Sequence, residues 1–496
     1  MYAIGYDIGS SAVKAALLEI DTGKVIATAH YPEMEMPISA PKPGWAEQNP
    51  EEWWESIKAV TAILNQKMPA ALTEVKAIGI TYQMHGLVLV DEQHQVLRPS
   101  IIWCDSRAAE IGQRACEELG EQFCLTNFLN SPGNFTAAKL RWVQENEPEI
   151  FRRIYKLMLP GDYVAMKLSG SINTTVSGLS EGILWDFPKG DIAYDLLKHW
   201  NIDPSLLPER KGTFSNQSQV SKVASDELGI PSGIPITYRA GDQPNNAFSL
   251  NVLNPGEIAS TAGTSGVIYG ITDEPVYDKE SRVNTFVHVN HTKEKPRYGV
   301  LLCVNGTGIL NSWMRKNMFN GSDMTYQKMN EMASEIKPGA DGLLIYPFAN
   351  GEERSLLNEN PGACIRGLSF NTHDQRHILK AGQEGIVYAL AYGMEIMKKM
   401  GLKLDTVKAG YANMFLSPVF REAFVNTTGA QLELYDTDGA QGAARGAAKG
   451  AGLYSTYEEA FKSLESLKQQ EPDPILAPIY QENYARWKDN LEDILG

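Results

Sequence analysis

Short apolar runs separated by Gly, Asp, Ser and Pro open the chain, a spacing that favours strands over helices. Tyr2 to Tyr6, Val13 to Leu18 and Val25 to His30 read as three β-strands. A proline-rich stretch from Pro37 to Pro50 reads as a loop. Asn49-Pro50-Glu51-Glu52 then starts a helix, with Pro and two acids in its first turn. Val75 to Thr81 is a buried strand leading into Tyr82-Gln83-Met84-His85-Gly86, with a further strand from Leu87 to Val90. The 3.6-residue period predicts helices over Ala108 to Leu119 and Asn134 to Asn146, the second ended by Pro148. Leu157 to Leu168 carries a loop, Pro160 to Tyr163, that opens a helix, and Gly170 to Gly182 reads as strand and loop. Ile236 to Gly241 is a strand with a helix after Asp242.

The second half repeats this alternation. Strands are expected from Tyr298 into the Asn305-Gly-Thr-Gly308 turn, over Leu343 to Phe348, and from Val407 towards Met414. Helices are expected from about Gln375 to Met400 and from Ser417 to Gly429. Asp436 to Gly452 is almost wholly small residues, which permits close approach of a flat ligand or of another backbone. The tail, Tyr457 to Leu495, reads as polar, helical and peripheral.

Several strand ends carry chemistry. Gly9, Ser10 and Ser11 leave N–H and O–H donors for an anion such as a phosphate, and Asp7 is placed to hold a hydrated Mg²⁺ beside it. An ordinary hairpin with a solvated Asp is the plain alternative. Gly263-Thr264-Ser265-Gly266 repeats the design half a chain later, which suggests two similar lobes facing one nucleotide. Loops at strand ends are where α/β proteins place ligand groups. His85 there is read either as a donor to a substrate hydroxyl, with Met84 against its carbon chain, or as a satisfied structural histidine. Asp105 and Arg107, in Trp103-Cys-Asp-Ser-Arg107, form a local ion pair or a ligand contact. In Gly241-Asp242-Gln243 a strand delivers a carboxylate on a Gly turn, where it can accept the proton of an attacking hydroxyl or cap the following helix.

At 496 residues the chain exceeds what one core accommodates, so two large domains are expected, 1–247 and 248–496. The 43% hydrophobic and 21% charged content is that of a globular protein. A formal net charge of −15 without a basic run argues against nucleic-acid or anionic-membrane partners. Five scattered cysteines without Cys-x-x-Cys argue against a disulfide framework or zinc site. Met1 leads straight into strand-like sequence and no run is long and apolar enough to span a bilayer, so the expectation is a reduced, cytoplasmic enzyme.

The ordered set Asp7-Ile-Gly-Ser-Ser11, Trp45-Ala-Glu-Gln48, Gln83-Met-His-Gly86, Trp103-Cys-Asp-Ser-Arg107, Lys139-Leu-Arg-Trp142, Gly241-Asp-Gln243 and Gly263-Thr-Ser-Gly266 resembles the FGGY family of carbohydrate kinases over nearly the whole chain. Gln83-Met-His-Gly86 resembles the branch acting on xylulose rather than on glycerol, which carries an Arg-Glu pair there. The resemblance implies an α/β fold of two ribonuclease-H-like, actin-type domains with ATP and Mg²⁺ in the cleft between them. It implies sugar contacts from Met84, His85, Asp242 and Gln243, a catalytic base at Asp242, and a metal contact at Asp7. Gly9, Ser10, Ser11 and Lys14, with Gly263, Thr264, Ser265 and Gly266, would hold phosphates. Gly410, Ala412 and Asn413, with Gly439 to Gly442, would border the adenosine. The implied reaction moves the γ-phosphoryl group of ATP to the 5-hydroxyl of D-xylulose. Ribulose or sedoheptulose as acceptor, or a non-kinase actin-type ATPase, are the alternatives, and a homodimer is left open. Three positions depart from the family pattern: Ser10 for Thr, Gln243 for Asn, and Ala409-Gly-Tyr-Ala-Asn413 for a run of glycines.

Overall fold

The computed structural model describes residues 1–319 and 323–496. They form two compact units. The first comprises Met1–Asn251, Phe286–Tyr298 and Thr437–Leu464; the second comprises Val252–Thr285, Gly299–Asp436 and Glu465–Gly496.

The first unit is built on a six-stranded sheet in the order Phe214–Gln219, Pro235–Gly241, Val75–Tyr82, Tyr2–Ile8, Val13–Glu19, Val25–Tyr31. The three central strands are parallel and nearly in step: Ile8 pairs with Tyr82, and Tyr82 with Gly241. The residues that follow each strand therefore emerge side by side at one edge, where open α/β sheets bind ligands. These are the Gly9 turn, the Gln83–Gly86 loop and Asp242.

Both faces of this sheet are covered. On one lies the helix Pro50–Lys67, which buries Trp53, Trp54, Ile57, Val60 and Leu64 and is capped by Asn49, whose Oδ1 accepts from Glu51 N at 3.2 Å. Tyr6 and Thr61 join hydroxyls across that contact at 2.8 Å. The other face takes the small-residue helix Gly439–Gly450. The approach is backbone to backbone: a Cβ on Gly79 would sit 2.0 Å from Ala443 O, and one on Gly5 would sit 2.0 Å from Ala440 O. Neither carbonyl can swing aside as a side chain does. Gly79→Ala is expected to destabilise the protein by at least the ~1–3 kcal/mol of ordinary overpacking, read as a lowered urea midpoint. The tight-packing reading of this helix is the one observed.

In the second unit the strands Gly266–Thr272, Ile258–Ala262, Thr406–Gly410, Gln431–Tyr435 and Ser466–Gln470 lie side by side in that order. The long helix Gln375–Lys399 is buried along most of its length, with Asp374 as its N-cap. The tail departs from the peripheral reading. Its strand Ser466–Gln470 joins the sheet edge, and the helix Leu476–Leu495 sinks Tyr480, Tyr484, Trp487 and Leu491 into the core. Those four fall at helical spacing on one stripe, which explains why a polar segment packs. Trp487 stacks on Tyr346 at 4.9 Å and donates to Ile345 O at 3.0 Å.

Gly170 to Gly182 also differs from the expected strand and loop. It folds as the strand Asn173–Thr175 and the helix Val176–Glu181, started by Thr175, whose Oγ1 accepts from Gly178 N at 3.0 Å. Among the described residues no helix is long and apolar enough to cross a membrane.

Candidate active site

Asp7 lies on the strand Tyr2–Ile8 and Asp242 directly follows the strand Pro235–Gly241, with Val75–Tyr82 between the two strands, and their charges oppose each other. Burial pushes the Asp242 carboxyl up to about 7, with Asp7 adding to the rise. Burial likewise raises Asp7 to about 6, with exposed Lys14 opposing the rise and Asp438 contributing to it. Lys14 is the cross-strand partner of Asp7 in the first hairpin. Asp438 caps the Gly439–Gly450 helix, its Oδ1 accepting from Gln441 N at 2.9 Å. That helix start lies against Asp7, since a Cβ on Gly439 would come within 2.5 Å of Asp7 Oδ2.

The phosphate-type turn is held from behind. Gln48 Nε2 donates to Ser10 O at 2.7 Å, and Met36 N to Ser11 O at 2.7 Å. Gln48 Oε1 accepts from Gln83 Nε2 at 2.9 Å and from Trp53 Nε1 at 3.2 Å. Gln83 N donates to Ile8 O at 2.8 Å, so one amide pair ties the Gly9 turn to the Gln83–Gly86 loop.

His85 sits at φ 61°. Fully buried Lys139 fixes it there, donating to His85 O and Ile102 O, both at 2.9 Å. Burial pulls the Lys139 ammonium down to about 8. His85 Nδ1 lies 2.9 Å from Glu181 O, a carbonyl, so Nδ1 carries the proton. In the neutral ring Nε2 is then an acceptor, and the donor role expected of it belongs to the protonated ring alone. Met84 is buried against Gly241, where a Cβ would lie 2.6 Å from its Cγ. Gln243 follows Asp242 on the helix Asp242–Ser249.

Asp105 and Arg107 form the local ion pair. The Arg107 Nε lies 2.9 Å and its Nη2 2.6 Å from the Asp105 carboxylate, which also accepts from Ala46 N at 2.6 Å. Arg107 lies over the Trp45 ring at 3.7 Å and the Trp142 ring at 4.8 Å, and reaches Glu47 at 2.8 Å. Arg98 bonds Glu47 as well, and Glu147 at 3.1 Å. Three motifs that are far apart in sequence thus form one buried knot beside the loop that carries His85.

In the second unit Gly308 N donates to Gly263 O at 2.8 Å and Ile309 N to Thr264 O at 3.2 Å, docking the helix Gly308–Met318 on the Gly263–Gly266 turn. Asn413, at φ 53°, reaches the same turn, with its Nδ2 3.6 Å from where a Cβ on Gly263 would be. Gly410 O accepts from Ala412 N at 2.8 Å, closing the segment before it. Behind this loop Glu353 Oε2 accepts from Asn305 N at 2.9 Å, and burial pushes its carboxyl up to about 7.

Asp7, Met84, His85 and Asp242 are thus gathered at one sheet edge. Gly263, Thr264 and Asn413 are gathered at another. Among the described residues no group of three or more His, Cys, Asp or Glu side chains is arranged to hold a metal. Mg²⁺ needs no such cluster, since it is ordinarily held by one or two carboxylates, waters and substrate phosphates. Asp7, whose carboxyl is raised by burial with Asp438 adding to the rise, fits the part of a single carboxylate ligand. Lys139 and Gln48 belonged to motifs read from the sequence, but their tethering role did not follow from it. Glu181 was missed, since its segment has no hydrophobic period.

A Gly-hydroxyl turn and a strand-end carboxylate at one sheet edge are the arrangement implied by the resemblance to ribonuclease-H-like, actin-type kinases. Residues 2–249 match the N-terminal domain, and 258–454 the C-terminal domain, of the FGGY family of carbohydrate kinases. The chain is 30% identical to the xylulose kinase of Escherichia coli K12 over 476 residues, 95% of this chain and 93% of that protein. The solved structure of xylulose kinase from Rhodospirillum rubrum superposes with a TM-score of 0.87 at 25% identity, covering 100% of this chain and 99% of that one. A gluconate kinase from Lactobacillus acidophilus superposes with a TM-score of 0.89 at 23% identity, covering 100% and 98%. The chain belongs to the FGGY family of carbohydrate kinases, and it is a sugar kinase.

Proposed function

We propose that this kinase transfers the γ-phosphoryl group of ATP to the 5-hydroxyl of D-xylulose. The observation that carries the reading is the register that sets the Gly9 turn, the Met84–His85 loop and Asp242 at one sheet edge. The 30% identity to a xylulose kinase across 95% of the chain supports the choice of sugar. Phosphoryl transfer goes through a loose transition state, so positioning and charge neutralisation dominate.

Asp242 orients the attacking hydroxyl and accepts its proton. Met84 lies along the carbon chain, while His85 and Gln243 meet hydroxyls. Gly9, Ser10, Ser11 and Lys14, and on the second unit Gly263, Thr264, Ser265 and Gly266, offer donors to phosphate oxygens. Gly410, Ala412 and Asn413 border the adenosine. Mg²⁺, held through Asp7, supplies neutralisation of phosphate charge when bound.

The test is ADP formation from Mg·ATP across D-xylulose, ribulose, sedoheptulose, gluconate and glycerol. Xylulose is expected to stimulate most. Greater stimulation by another acceptor moves the substrate; no stimulation by any of them ends the reading.

A further inference from the structure

Glu181 closes the helix Val176–Glu181 and is 1% exposed. Among the described residues neither of its carboxyl oxygens takes part in a hydrogen bond. The Tyr82 hydroxyl faces it without closing a well-formed hydrogen bond and is itself unbonded. A buried polar group left in this state costs stability unless a bound partner completes it.

Its position says what that partner is. A Cβ on Gly241 would lie 2.5 Å from Glu181 Oε2 and 2.6 Å from Met84 Cγ, so the carboxyl and the thioether side chain press on the same stretch of backbone, one residue before Asp242. The main-chain carbonyl of Glu181 holds His85 Nδ1 at 2.9 Å. Glu181 therefore holds His85 through its main chain, shares the Gly241 backbone with Met84 and neighbours the carboxylate given the base role. Two flanking acceptors, Gln83 Oε1 and Gln243 Oε1, are also without hydrogen bonds. Burial raises the Glu181 carboxyl well above the usual range, which favours its protonated form, one able both to give and to accept a hydrogen bond.

We propose that Glu181 is a specificity-determining residue of the acceptor site, exchanging hydrogen bonds with a hydroxyl of the bound polyol. The inference rests on the sugar-kinase reading of this edge. No covalent step is involved. A site built to bond a hydroxyl discriminates strongly against the analogue lacking it.

The test compares Glu181→Leu, which keeps the bulk, with Glu181→Gln, which keeps a donor and an acceptor. In Glu181→Leu the KM for xylulose is expected to rise about 10–100-fold, the span of one hydrogen bond to a buried polar group. The KM for ATP should stay within about twofold, and Glu181→Gln should recover the sugar KM to within a few fold. One deoxyketose, poor for the wild type, should be no worse for Glu181→Leu. The melting temperature of the sugar-free variants should not fall, because an uncompensated buried acid has been removed. A sugar KM within twofold of wild type in Glu181→Leu overturns the inference. So does equal impairment of both variants with a lowered melting temperature, which marks a structural role. The wild type is run beside them: if no sugar stimulates it, the parent reading fails and this inference falls with it. Stimulation of the wild type with unchanged variants removes Glu181 alone.

Discussion

Asp242→Asn should lose ~10²-fold or more in kcat, by the usual worth of a general base, while xylulose still raises its melting temperature. The side chains are nearly identical in shape, so binding is expected to survive. What is lost is a group able to take the hydroxyl proton. Burial and the facing charge of Asp7 lift the carboxyl up to about 7, closer to neutrality than a surface aspartate. A stronger base gains more from proton transfer, at the cost of being protonated in acid. The raised group takes up its proton as pH falls through about 7, so activity should fall on that side, and a cation beside Asp7 shifts the fall to lower pH. The Asn variant should lack this limb. Turnover near wild type in steady-state assays would remove Asp242 from the mechanism.

The second large effect is on folding. Arg107→Met should destabilise the first unit by about 3–5 kcal/mol, because it strips a buried pair of one partner. Asp105 is fully buried and Glu47 nearly so, and the same guanidinium meets both while stacking on Trp45 and Trp142. Arg107→Lys is not expected to rescue it, since an ammonium has neither the fork nor the flat face. Urea denaturation reads both. An unchanged midpoint in Arg107→Met would show that the two tryptophans and the Ala46 amide suffice to hold the loop.

The strand ends were legible because short apolar runs and Gly-hydroxyl turns are local signals. Asp7, the Gly9 turn, Gln83 to Gly86 and Asp242 needed only their neighbours in sequence to be read. The register that aligns them did not, since it depends on pairings as distant as Tyr82 with Gly241. Asp105 and Arg107 were left between two readings by sequence, because the deciding partners, Trp45, Glu47 and Trp142, lie on other segments. Glu181 gave no signal: its helix is short and rich in Ser and Gly, and nearly every position is buried, so no face stands out. The tail misled for the opposite reason. Its charged residues outnumber the four aromatic and aliphatic anchors that carry its packing.

The Gly439–Gly450 helix has a consequence for the order in which the protein comes into being. It covers the sheet begun by residue 2, yet it leaves the ribosome only after nearly nine-tenths of the chain has been made. Until then the face at Gly5 and Gly79 lacks its cover, and the first unit waits, incomplete, while much of the second is being synthesised. A nascent chain halted before residue 437, or a fragment ending at Asn251, is therefore a client for chaperones rather than a folded half of the enzyme.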